Sequence, residues 1–212
     1  NRHILGVSYG NGRLNVYPLD QEGIPGKAVT TIDEGKREAH CVLLPPDGKN
    51  IYVPYVKENL ALLQYAYDSK TGKVTPLETK NAKPPLGTGP RHMAYHPTLP
   101  MVYFSNEQGI GLSSYRREIN GELKVAQDIN ILPAGMSKIG LSASDLIITP
   151  DGKFLFAGLR GHSQDFNRIS RYRILKDGRA EFIGLTKADR IPWGLTLSPD
   201  GKFLLVSESA RA

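Results

Sequence analysis

A unit of about fifty residues recurs along this chain, and that repeat restricts the fold more than any other feature. EAHCVLLPPDGKNIYVPYV (38–56), SASDLIITPDGKFLFAGLR (142–160) and IPWGLTLSPDGKFLLVSES (191–209) follow one pattern, and PRHMAYHPTLPMVYFSNEQ, from Pro90, is a fourth copy with an altered turn. The turn prolines Pro46, Pro97, Pro150 and Pro199 mark the copies at intervals of 97 − 46 = 51, 150 − 97 = 53 and 199 − 150 = 49 residues. Each copy opens with a short apolar strand such as CVLLP or LIITP. A Pro-Asp-Gly turn follows, in which proline pre-sets its φ and glycine takes the positive φ. A second apolar strand comes next, then a third, alternating strand that carries a tyrosine in register: Tyr17, Tyr65, Tyr115 and Tyr172. Gly-containing turns (KTGK, NGEL, KDGR) lead to a more polar fourth strand. No long stretch has helical periodicity. Four antiparallel strands per unit at this period predict an all-β fold, the blades of a β-propeller.

The chain begins inside a unit and ends after two strands of another. The expected division of this single propeller domain (1–212) is a partial blade over 1–37, blades from about 38, 90 and 142, and a partial blade over 191–212. About four blades are thus present, near the lower end of the roughly four to eight that propellers carry. The expectation is a fragment of a larger ring; the alternative is closure of the two partial ends into a four-bladed ring.

Composition narrows the partners. No run of 18 or more apolar residues occurs, so no membrane span is expected, and no leader pattern is visible at NRHILGVSYG. Cys41 is the single cysteine, which rules out an internal disulfide and fits a reducing, cytoplasmic compartment. The formal charge of +6 is scattered and forms no basic stripe for nucleic acid. Such a field favours small anionic ligands. No H-E-x-x-H, paired-cysteine, Walker or G-x-S-x-G motif is present. Neither a metal nor a cofactor is expected.

Equivalent positions of the repeat point to the site. Because strands alternate in direction, the loop before strand one and the loop between strands two and three share a face, and the Pro-Asp-Gly turns lie on the other. Six residues before each marker proline stand His40, Arg91, Ser144 and Trp193; ten after it stand Val56, Glu107, Arg160 and Ser209. Copies of one scaffold would hold similar residues, yet these differ as positions presenting a site do. His40 and Glu107 can move protons, and Arg91 and Arg160 can each grip a carboxylate or phosphate through two parallel bonds. His40, Arg91, Glu107 and Arg160 are the expected catalytic set. His92, Asp145, Ser144 and Trp193 are expected around the substrate. Alternation turns His92 to the other side of its strand, in a supporting role. Asp145 shares its register and is expected to bond to backbone or an arginine. Trp193 is read as a core plug rather than a stacking surface. His96 is expected only to shape its turn, His162 to sit exposed in a polar loop, and His3 to lie near a chain end.

EAHCVLLPPDG, GPRHMAYHP, YFSNE and SASDLIITPDGKFLFAGLR resemble the bacterial propeller lactonases, whose type activity is 6-phosphogluconolactonase and whose relatives include the fungal 3-carboxymuconate-lactonising enzyme. The resemblance runs over nearly the whole chain and is carried most specifically by GPRHM-x-x-HP followed by NE. It implies a seven-bladed ring of which this chain is somewhat over half. It also implies site residues that fall, by motif, on His40, Arg91, Glu107 and Arg160. The expected function is therefore hydrolysis of an anionic sugar lactone, with Glu107 or His40 taking a proton from water and the arginines binding the anion. Lactonisation of a carboxymuconate-type acid and non-catalytic binding of an anion or protein are the alternatives. Sequence leaves the oligomeric state open.

Overall fold

The computed structural model describes residues 2–163 and 165–209; residues 1 and 210–212, the outer ends of the two partial units, and residue 164 lie outside the described residues. Among the described residues the chain forms sixteen strands and one short 3-10 turn, Lys57–Asn59. The first sheet has three strands, β1 (His3–Val7), β2 (Leu14–Pro18) and β3 (Thr30–Ile32). The second has β4 (Asn50–Tyr55), β5 (Ala61–Tyr67) and β6 (Val74–Asn81). Two four-stranded sheets follow: β7 (Pro90–Tyr95), β8 (Met101–Asn106), β9 (Gly111–Arg117) and β10 (Leu123–Asn130), then β11 (Leu141–Ile148), β12 (Phe154–Gly161), β13 (Arg168–Ile174) and β14 (Ala180–Lys187). β15 (Ile191–Leu197) and β16 (Leu204–Ser209) pair as a two-stranded sheet. Every pairing is antiparallel between consecutive strands, and the first strands β7, β11 and β15 neighbour one another across sheets. These are propeller blades around an axis lined by first strands. No helix among the described residues is long and apolar enough to cross a membrane.

The repeat is exact at the level of register. Tyr17, Tyr65, Tyr115 and Tyr172 pair with Ile4, Ile51, Val102 and Leu155, the same place in four sheets. The core lies between sheets. One cluster joins Leu14 and Val16 of the first blade to Ile51, Val53 and Tyr65 of the second. A second joins Tyr52 and Leu62 to Met93, Phe104 and Tyr115, and a third joins Met101, Tyr103 and Leu112 to Leu155, Leu159 and Tyr172. A blade alone exposes both apolar faces; stacking against neighbours covers them. Tyrosines staple the interfaces: Tyr52 Oη donates to the Gly121 carbonyl at 2.7 Å, and Tyr103 Oη to Gly178 at 2.8 Å, each a glycine in the next blade's outer turn.

One expected strand is missing. CVLLP does not form a first strand in the blade from 38, where pairing is confined to an Ala39–Tyr55 bridge, with His40 N–H donating to Pro54 O at 3.0 Å and Val56 N–H to Glu38 O at 3.3 Å. Pro54 has no N–H to return to that neighbour, and Pro45 and Pro46 supply no donors either, so the ladder does not propagate.

The complete first strands share another irregularity. The register shifts between Pro90 and Met93 in β7, between Ala143 and Leu146 in β11 and between Pro192 and Gly194 in β15. Each bulge falls six residues before the marker proline. A bulge leaves residues outside the ladder and re-aims their side chains. The freed N–H of His92 finds Ser105 Oγ at 3.2 Å, and that of Gly194 finds Ser207 Oγ at 3.0 Å.

Candidate active site

The bulges open onto a cavity of about 450 Å³ lined by Tyr9, His40, Arg91, His92, Glu107, Arg160 and Trp193, among others. Arg91 and His92 come from the β7 bulge. Glu107 follows β8, Arg160 is the next-to-last residue of β12, and Trp193 sits at the β15 bulge. Gly89 sets up this wall. Its φ of +61° turns the chain into β7, and its carbonyl accepts the Glu107 N–H at 2.7 Å, so the residues that precede Arg91 also fix Glu107.

Two guanidinium groups converge on one carboxylate. Arg160 Nη2 donates to Glu107 Oε1 at 3.1 Å and to the Ala143 carbonyl at 2.9 Å; Arg91 Nε faces Glu107 Oε2 at 3.5 Å, a charge contact too long to count as a hydrogen bond. Arg91 and Arg160 are only 2% and 3% exposed. Arg91 Nε and Nη1 and Arg160 Nε have no hydrogen-bond partner. Burial, then the neighbouring Arg160 charge, lowers the Arg91 pKa to about 10, and burial lowers that of Arg160 as well. Two buried cations share one anion here, so the cavity wall carries positive charge in excess.

Two imidazoles, His40 and His92, line the same cavity. Burial, then the charges of Arg91 and His92, pushes His40 down to about 3, so its ring is neutral at ordinary pH. Its ring lies 4.9 Å from that of His92 and 5.7 Å, edge-on, from Tyr9. His92 Nδ1 meets Asp145 Oδ1 at 2.6 Å. Asp145 also accepts the Leu146 N–H at 2.9 Å and, through Oδ2, the Leu195 N–H at 2.9 Å. Burial raises the Asp145 pKa, but the His92 and backbone hydrogen bonds outweigh it and hold the group below the ordinary carboxylate value.

His40, Arg91, Glu107 and Arg160 therefore share one cavity, as do His92 and Trp193. Several expectations need correction. Strand alternation would turn His92 away, yet the bulge lets Arg91 and His92 both face the cavity. Asp145 bonds to backbone as expected, accepting the Leu146 and Leu195 N–H groups, and also to His92; it stands behind His92 and does not itself line the cavity. Trp193 is no core plug: it is 49% exposed and lies over both guanidiniums, with Cζ of Arg160 4.8 Å and Cζ of Arg91 5.8 Å from the ring centroid. Ser144 does not line the cavity. Its hydroxyl donates to the Pro192 carbonyl at 2.7 Å between blades, and a Cβ on Gly158 would lie 2.2 Å from it. Val56 is buried in the core. His96 shapes its turn, its Nδ1 accepting the Thr98 and Leu99 N–H groups, and also reaches Gly152 O of the next blade at 3.1 Å. His162 is exposed and meets Ser142 Oγ at 2.7 Å. His3 is buried against Tyr67 Oη at 3.0 Å. Tyr9 escaped the repeat comparison because its blade has no marker proline. Its loop follows a second strand, as Glu107 and Arg160 do, and that equivalence was the available signal.

Among the described residues no three His, Cys, Asp or Glu side chains are grouped as metal ligands. A larger cavity, about 780 Å³, lies at the turn face beside Arg2, Asp47 and Lys70; its Asp47 is already paired with Arg117 at 2.7 Å, and no buried charged groups converge on it.

The model of a family described as a lactonase, 7-bladed beta-propeller, matches residues 1–211. The chain belongs to the propeller lactonase family. Within it, the chain is 29% identical over 209 residues to a 6-phosphogluconolactonase of Klebsiella pneumoniae and 31% identical over 208 residues to one of Photorhabdus laumondii. Each match covers 97% of this chain and 60% of the relative, so the chain spans about three-fifths of the length of these curated lactonases. Among solved structures, the periplasmic gluconolactonase of Pseudomonas aeruginosa superposes with a TM-score of 0.84 at 22% identity, over 97% of this chain and 60% of that one, a likeness of fold.

Proposed function

We propose that this cavity binds and hydrolyses an anionic sugar lactone, with 6-phosphogluconolactone as the first candidate. The observation that carries the reading is the pair of nearly inaccessible guanidiniums, Arg91 and Arg160, which line a cavity of about 450 Å³ and carry N–H groups without a partner. Buried donors of fixed charge suit a ligand anion, and they suit the oxygen of a lactone carbonyl as it gains charge. Glu107 holds both guanidiniums in place. Trp193 covers them from the solvent side and offers a flat face to a sugar ring. The relatives named as 6-phosphogluconolactonases support the choice of substrate.

Chemically the reaction asks little. Water attacks the lactone carbonyl carbon, a base takes the water proton, the oxyanion lies against guanidinium N–H groups, and the ring C–O bond breaks. No covalent nucleophile is needed.

The test is loss of 6-phosphogluconolactone in the presence of the intact gene product, followed by NMR against spontaneous hydrolysis. The expected result is acceleration that disappears in Arg91→Met. A wild-type protein that binds 6-phosphogluconate without accelerating hydrolysis would show a binding propeller instead; turnover of a carboxymuconate but not of the lactone would show a lactonising enzyme.

A further inference from the structure

Three groups at the cavity could take the proton from water, and their surroundings separate them. Both carboxylate oxygens of Glu107 face guanidinium groups, and its Oε1 is an acceptor already in use. Proton uptake there would leave two buried cations without an anion. His40 is held neutral by burial and by the neighbouring Arg91 and His92, so strongly that it has little affinity for a proton near pH 7. His92 differs. Asp145 is a carboxylate, so it can only accept at 2.6 Å, and the proton of the bond sits on His92 Nδ1. A neutral ring with its proton on Nδ1 has its lone pair on Nε2, the nitrogen not engaged by Asp145. Asp145 is itself anchored by the Leu146 and Leu195 N–H groups, which fix the carboxylate and hence the ring.

Resting on the lactonase reading above, we infer that His92 is the general base of this site and that Asp145 is its positioning residue. His92 Nε2 takes the proton from water as the water oxygen bonds to the carbonyl carbon. When the ring C–O bond breaks, the leaving oxygen takes that proton back from Nε2, and the product hydroxy acid ionises to its carboxylate. Asp145 keeps its negative charge throughout, fixes the tautomer and stabilises the imidazolium. The His40 ring, 4.9 Å away, adds no second positive charge beside it. Other charged or titratable groups around His92 include Asp145 from β11, Arg91 beside it on β7, Cys41 near Asp145, and Tyr9, Glu107 and Arg160 in the lining of the same cavity.

The experiment compares wild type, His92→Gln and Asp145→Asn in the intact gene product. Steady-state kinetics on 6-phosphogluconolactone are followed against pH, with calorimetric binding of 6-phosphogluconate as the check on folding. His92→Gln is expected to lower kcat by about 10²-fold or more, within the roughly 10²–10⁴-fold range of general-base catalysis, with product affinity within about twofold of wild type. The fall of kcat/KM at acid pH should vanish with it. Asp145→Asn is expected to lower kcat about tenfold and to move the acid limb to lower pH, because the imidazolium loses its counter-charge; Asp145→Glu should restore part of both. Nitrogen-15 NMR of wild type should find the neutral His92 proton on Nδ1. A His92→Gln enzyme with wild-type kcat, or a proton on Nε2, overturns the base assignment and leaves the lactonase reading standing. Absence of turnover in wild type removes that reading, and the base role with it. An Asp145→Asn protein that loses thermal stability but keeps its pH profile makes Asp145 merely structural.

Discussion

The indole ring of Trp193 lies 4.8 Å from the guanidinium carbon of Arg160, although the two residues come from different sheets. Arg91 reaches the same ring from a third sheet, at 5.8 Å. One half-exposed aromatic residue therefore covers both buried cations. A cation over an indole face contributes about 0.5–2 kcal/mol. Trp193→Ala should raise KM for an anionic lactone about five- to tenfold and leave kcat within about twofold, read from steady-state kinetics. A kcat loss with unchanged KM would place Trp193 in the chemistry instead.

Glu107 is the anion between the two arginines, and its removal leaves both cations uncompensated in a buried wall. Glu107→Gln keeps the shape but not the charge. It should cost about 3 kcal/mol of stability, in the range seen when one partner of a buried ion pair is deleted. Lactone turnover should fall about 10²-fold as Arg91 and Arg160 lose their alignment. Urea unfolding and kinetics check the two effects separately. A variant as stable as wild type would mean that the guanidiniums need no anchor.

His40 should make the fold sensitive to acid. Its pKa falls from 6.5 to about 3 on folding, so between those values the unfolded chain binds more protons than the folded one. Stability from this group is complete above pH 6.5 and is lost as pH falls toward 3, at about 1.4 kcal/mol per unit inside the window. Unfolding midpoints measured from pH 7 to pH 4 should therefore drop more steeply for wild type than for His40→Asn. Parallel slopes would show that His40 titrates normally in the folded protein.

The buried tyrosines should separate into two classes. Tyr103 donates across a blade interface to Gly178 O at 2.8 Å, whereas the Tyr172 hydroxyl is buried without a partner. Tyr103→Phe should destabilise by about 1–3 kcal/mol, because a carbonyl is left unsatisfied as well as a bond lost. Tyr172→Phe removes an unpaired polar atom and should be neutral or stabilising. Chemical denaturation of the two variants gives the order; the reverse order would mean that packing rather than hydrogen bonding sets these costs.

The repeat carried the fold because register is local. Tyr17, Tyr65, Tyr115 and Tyr172 announce the third strands, and each pairs at the same position of its sheet. The failed first strand at 41–45 follows from Pro54, which is visible in the sequence but whose missing donor matters only once its neighbour is known. Ser144 occupies the repeat position of Arg91, yet it faces Pro192 between blades rather than the cavity.

The sequence by itself determined a propeller of four-stranded units, because strand period, turn residues and the fifty-residue spacing depend only on neighbours along the chain. It also determined that the odd residues at equivalent positions, among them Arg91, Glu107 and Arg160, would meet on one face. Only the tertiary structure decided what those side chains do there. The bulge in β7 turns His92 inward against the rule of alternation. The packing of three blades sets Asp145 behind it and lays Trp193 over two arginines. The ladder offset depends on how β7 registers against β8, and the contact between blades on a partner 53 residues away, so neither is encoded by the alternation of one strand.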